Sequence, residues 1–152
     1  MSEELENTAD HIEAEWYANP RPTPVYTGPD GRIRVVLDAP AELLTMNTAR
    51  GRIHWREWAE LTKAWRDAMH DRALFLGIPA VTGRVGVEGY PRVYQGILAD
   101  AGAHMPCVKA CVDGLRDAGV LADDDPEHVA YVRCWAPIKG VGAGMVLELV
   151  PA

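Results

Sequence analysis

The sequence predicts an α+β fold: a small mixed sheet of about four strands packed with two main helices, in the order β-α-β-α-β-β. Three observations carry this. Strand-like runs of β-branched residues alternate with segments whose apolar residues recur at three- and four-residue spacing. Pro and Gly punctuate the joins between them. No internal repeat is present, and the 152 residues fit one domain with room for a sizeable core.

Residues 3–17 place Leu5, Ala9, Ile12 and Trp16 at helical spacing, giving a short amphipathic helix that is marginal unless it docks. "NPRPTPVYTGPDG" follows, and its four prolines forbid a continuous helix. Residues 1–31 are therefore read as an acidic N-terminal segment with a Pro-rich linker, ahead of a domain spanning 32–152. "RIRVVLDAP" reads as a strand, and "AELLTMNTARGR" as a polar loop. From His54 to about His70, Trp55, Trp58, Thr62, Trp65 and Met69 share one helical face, with Arg56, Lys63 and Arg66 opposite. "GRVGVEGYPRVYQGILAD" reads as one or two strands broken near Gly89 and Pro91. A second helix runs from Pro106 to Gly119, with Val108, Cys111, Val112 and Leu115 as its buried stripe. "HVAYVRCWAPI" and "GMVLELV" are two further strands, read as a hairpin across "KGVGAG".

The composition, 48% apolar and 24% charged, is that of a globular protein. With no membrane-length apolar run and no basic-then-apolar leader, the expected compartment is the cytoplasm. Cys107, Cys111 and Cys134 are then reduced thiols. A zinc site with His104 is a lesser alternative, since no Cys-x-x-Cys pair supports it. Ser2 is the only serine, which sets a serine hydrolase aside. "GVGAG" precedes a strand and lacks the Lys-Ser/Thr of a phosphate loop, so it reads as a turn.

The net charge of −7 argues against a nucleic-acid partner, but six acids fall within residues 1–15. Between Arg32 and Arg66, seven bases face four acids, leaving room for a local basic surface. Asp100 closes a predicted strand, and Asp123, Asp124 and Asp125 follow the second helix. Lys109 and Asp113 lie one turn apart on its polar side. Carboxylates of this kind suit Mg²⁺, which takes oxygen ligands and leaves room for phosphate. Such an ion activates water for phosphodiester hydrolysis, and a Lys beside it neutralises the phosphate. The plain alternative is a capped turn at Asp125 and a solvated Lys109–Asp113 pair.

"LLTMNTARGRIHW" with "WAELTKAWRDAM", and "DAGAHMPCVKACVDGLRDAGVLADDDPEHV", resemble the RusA-type Holliday junction resolvases, above all the divergent forms carried by phages of actinobacteria. The resemblance spans roughly residues 32–150, and its second block is the more specific. It implies a homodimeric, Mg²⁺-dependent endonuclease, with Mn²⁺ as a substitute ion, that nicks four-way DNA junctions in pairs during recombination, repair or phage DNA processing. By position, Asp100, Asp123 and Asp124 resemble the metal-binding acids and Lys109 the essential lysine. Asp113 falls at a commonly acidic helix position. Asn47, Arg50, Arg52 and His54 resemble the loop residues expected near DNA, with Arg56 and Lys63 following on the helix. Ala103 departs from the pattern, which carries Asn or Asp between the first acid and the lysine. That departure motivates a second expectation, a branched-DNA-binding protein that cuts poorly or not at all; the acidic segment motivates a third, a protein-interaction module that masks the basic face.

Overall fold

The computed structural model describes residues 14–20, 25–28, 30–46, 53–96 and 98–152. Its elements are β1 (Val25–Thr27), β2 (Ile33–Asp38), α1 (Trp55–Leu76), β3 (Val85–Val93), α2 (Met105–Asp117), β4 (Val129–Cys134), β5 (Ile138–Lys139) and β6 (Gly144–Pro151). The architecture is α+β, with the strands in one mixed sheet of order β1-β2-β6-β3-β4 and β5 paired to β3. Among the described residues, no helix is long and apolar enough to cross a membrane.

Period-two alternation sets the two faces of the sheet. Val35 and Leu37 of β2, Met145, Leu147 and Leu149 of β6, and Val85 and Val87 of β3 point into the core. There they meet Trp65, Met69 and Ala73 of α1 and Cys107, Val108, Cys111, Val112 and Leu115 of α2. The helices cross closely because of Gly114, where a Cβ would run into the Arg66 carbonyl oxygen. Gly89 does the same for the sheet, since a Cβ there would collide with Val108 of α2.

Four sequence expectations are corrected. The hairpin between the last two long strands does not form: β4 runs parallel to β3, and β6 lies between β2 and β3, antiparallel to both. Parallel pairing requires a crossover, and α2 supplies it between β3 and β4. Secondly, β3 is one strand through Gly89 and Pro91. Its pairing to β4 ends at Gly89 and that to β5 begins at Arg92, so Pro91 sits where the parallel neighbour is interrupted. Thirdly, α1 continues to Leu76, because helix formers extend as far as Gly77, whose left-handed φ of 64° closes the helix. Lastly, the boundary at 31/32 separates two paired strands. Val25 pairs with Val35 and Thr27 with Ile33, and Tyr17 and Ala18, in a helical turn at residues 14–18, are buried against the face of the sheet opposite α1 and α2. Residues 1–13, with five of the six acids of the segment, lie outside the described residues.

Candidate active site and nucleic-acid interface

The polar side of α2 organises the candidate site. Asp100 precedes the helix, in a loop where the Ala103 N–H donates to the Asp100 carbonyl at 3.1 Å; its side chain is exposed. Ala103 in turn accepts from the Met46 N–H at 2.8 Å. The buried His104 has its Nδ1 3.0 Å from the Leu44 carbonyl oxygen. These bonds anchor the near flank of the Arg-containing loop at the start of α2. They also give the Nδ1 of His104 a structural partner. Asn47, Arg50 and Arg52 themselves lie outside the described residues.

Beyond α2, the acid run divides by role. Asp125 is a cap: its Oδ1 accepts the N–H groups of Glu127 at 3.0 Å and His128 at 3.1 Å, and lies 2.7 Å from His128 Nδ1. Asp123 Oδ1 accepts the N–H of Asp124 at 2.8 Å. Asp124 Oδ1 lies 3.4 Å from Arg116 Nη1. The Asp124 carboxyl is held below the usual carboxylate range, first by a hydrogen bond with the Asp123 side chain, then by the charges of Arg116 and Lys109. Asp123, Asp124, Lys109 and Arg116 thus form one electrostatic unit on exposed surface. Asp113, one turn from Lys109 on the same helix, also acts on Arg66 of α1 through its charge.

Among the described residues, no three His, Cys, Asp or Glu side chains converge to hold a metal ion. Asp100 therefore does not join Asp123 and Asp124 in one group, and the zinc alternative at Cys107, Cys111, Cys134 and His104 finds no such group either. The pair alone still has the donor chemistry of a Mg²⁺ site, because that ion is commonly bound by one or two carboxylates, waters and substrate phosphate.

The start of α1 carries a second cluster. His54 is its N-cap, with Nδ1 accepting from the Arg56 N–H at 3.1 Å. Trp55 does not belong to the core face expected of it: it is 68% exposed, with the Arg56 guanidinium 5.2 Å from its ring centroid. Lys63 is exposed and paired with Asp67 one turn on. An exposed indole beside a guanidinium is suited to stacking on nucleobases.

A third group was not singled out from the sequence. Arg34, Glu148, Glu88 and Arg133 form a row across β2, β6, β3 and β4 on the face opposite α1 and α2. Glu148 is fully buried, paired with Arg32 and, at 2.8 Å, with Arg34. The signal was a lone acid at an alternate position within "VLELV", and another within "VGVEG".

No family model matches the chain, and no curated protein matches it.

Proposed function

We propose that the chain is a metal-dependent, structure-selective endonuclease acting on branched DNA, working as a homodimer in the cytoplasm. The observation that carries this is the Asp123–Asp124 pair, with Asp124 Oδ1 3.4 Å from Arg116 Nη1 and its carboxyl held below the usual range, on the open side of α2. Asp123 and Asp124 would hold Mg²⁺, which supplies an activated water and charge neutralisation at the phosphate. Lys109 and Arg116 add positive charge where a phosphate oxygen becomes more negative. Trp55 and Arg56, with the loop at residues 47–52, are the surface on which DNA would rest. Two sites related by a dimer's two-fold axis suit paired nicks across a symmetric junction.

The experiment is cleavage of a synthetic four-way junction with Mg²⁺ by the wild type, Asp124→Asn and Asp100→Asn. Loss in both variants assigns Asp100 to the same site, and loss in Asp124→Asn alone confines the site to the pair. Cleavage unimpaired by Asp124→Asn overturns the proposal.

A second reading, junction binding without cleavage, is favoured by Ala103 and by the separation of Asp100 from the aspartate pair. It predicts salt-sensitive junction binding by a wild type that leaves the junction intact with Mg²⁺ present.

A further inference from the structure

The face of the sheet opposite α1 and α2 carries an aromatic and ionic slot that the nuclease reading does not use. Its floor is the Tyr90 ring, which lies nearly parallel to Trp135 at an interplanar angle of 6° and 5.7 Å between centroids. Its far wall is the Glu148 carboxylate, fully buried in the middle of the sheet with Arg32 and Arg34 against it. Glu148 Oε1 pairs with Arg32 Nη1 and Glu148 Oε2 with Arg34 Nε, while Arg32 Nε and Arg92 Nε are buried without a hydrogen bond among the described residues. A carboxylate placed so deep is costly unless something donates to it.

What fills the slot is a side chain from the segment ahead of the sheet. Tyr17 stacks on Tyr90 at 3.9 Å with an interplanar angle of 8°, and its hydroxyl donates to Glu148 Oε2. Arg34 covers the other side, 4.9 Å from the Tyr17 ring and 5.0 Å from that of Trp16. Burial, and then the Glu148 carboxylate, push the Tyr17 phenol well above its usual range, so it stays a donor. The segment is also tied down beyond Tyr17. Asn19 Oδ1 accepts from the Val141 N–H at 3.2 Å, and Ala18 passes over Gly140, where no side chain would fit.

A flat ring between an aromatic floor and a guanidinium, with an edge donor aimed at a carboxylate, is also how a protein holds an unpaired base. We propose that the slot filled by Tyr17 is a binding site for an unpaired nucleobase bearing an exocyclic amino group, with Tyr17 as its resident plug. The base would stack on Tyr90, and its amino group would donate to Glu148 Oε2 in place of the phenol. An ionised carboxylate only accepts, which favours the exocyclic amino group of cytosine over thymine, whose one donor, the ring N3–H, is flanked by two carbonyl oxygens that the carboxylate repels. Trp135, 47% exposed, offers its ring to the neighbouring base. This inference rests on the nucleic-acid reading above and names the part of a branched substrate involved: the bases at a branch point that leave the stack cheaply.

The test measures binding of fluorescent oligo-dC and oligo-dT to the full chain without Mg²⁺. Tyr17→Ala is expected to bind oligo-dC about tenfold more tightly than the wild type, in line with one stacked base. Oligo-dT should gain less, and Tyr90→Ala on top of Tyr17→Ala should remove the gain. Unchanged oligo-dC binding by a folded Tyr17→Ala, an equal gain for both oligonucleotides, or a gain that survives loss of Tyr90 overturns the proposal. Should Tyr17→Ala fail to fold, Tyr17→Phe keeps the ring and removes the donor. It is expected to show a smaller gain in the same order, and no gain overturns the proposal equally. Junction cleavage by Asp124→Asn bears on the nuclease reading alone, because Asp124 lies beside α2 and this binding is measured without the ion.

Discussion

Arg116 Nη1 stands 3.4 Å from Asp124 Oδ1, so the last turn of α2 is tied to the acid run that follows it. The Asp124 carboxyl is depressed first by its hydrogen bond with Asp123, then by Arg116 and Lys109. Removing Arg116 removes one of the two cations that favour the ionised form. For Arg116→Gln, the acid limb of Mg²⁺-dependent junction cleavage is therefore expected to move to higher pH, with the alkaline side unchanged. A pH–rate profile checks this, and coincident acid limbs for the two proteins would show that Arg116 does not act on Asp124.

Gly114 tests the geometry that brings α2 against α1. Replacing a helical glycine by alanine normally stabilises by about 1 kcal/mol. Here the added Cβ would meet the backbone oxygen of Arg66 and lie 3.0 Å from Met69 Cβ. Backbone cannot rotate away as a side chain can, so the overlap wins. Gly114→Ala is expected to destabilise by about 1–3 kcal/mol, as other overpacked core positions do, read from the urea midpoint. A stabilised variant would mean that the helices separate at little cost.

The two main helices were legible in the sequence because strong signals agreed: the Trp65 and Met69 spacing in α1, and Pro106 and Gly119 bracketing α2. Asp125 as a cap before Pro126 was legible too, from its place ahead of the proline. What escaped depends on contacts between residues far apart in the chain. Val25–Thr27 is too short to read as a strand and exists because β2 offers it an edge. The order of β4 and β6 follows from where α2 lands, which local propensity does not encode. Tyr17 and Glu148 are 131 residues apart, and neither predicts the other.

His54 and Trp55 separate a structural role from a binding one at adjacent positions. His54→Ala removes the cap of α1 and is expected to cost about 0.5–1 kcal/mol of stability. Trp55 is 68% exposed, so Trp55→Ala should leave the melting temperature almost unchanged. Its loss should weaken junction binding by about tenfold if the indole stacks on a base. Arg56→Ala should instead lower the salt slope of binding by about one. Undiminished binding by both Trp55→Ala and Arg56→Ala would remove this surface from the proposed interface.

His128 and Asp125 make the turn into β4 pH-dependent. The hydrogen bond with Asp125 raises the His128 pKa, and the same bond, named from the other side, lowers that of Asp125. A raised histidine contributes stability that is fully present below its unfolded value of about 6.5 and is lost as pH rises through the folded value. A depressed aspartate contributes above its unfolded value of about 3.9, and loses that contribution as pH falls through the folded value. The pair is therefore complete only between about pH 4 and pH 6.5. His128→Gln leaves the Asp125 cap on the Glu127 and residue-128 backbone N–H groups intact, so it isolates the ion pair. The wild type should melt higher than this variant inside that window, and the gap should close toward alkaline pH and again in strong acid. A gap independent of pH would mean that packing of the imidazole, not its charge, stabilises the turn.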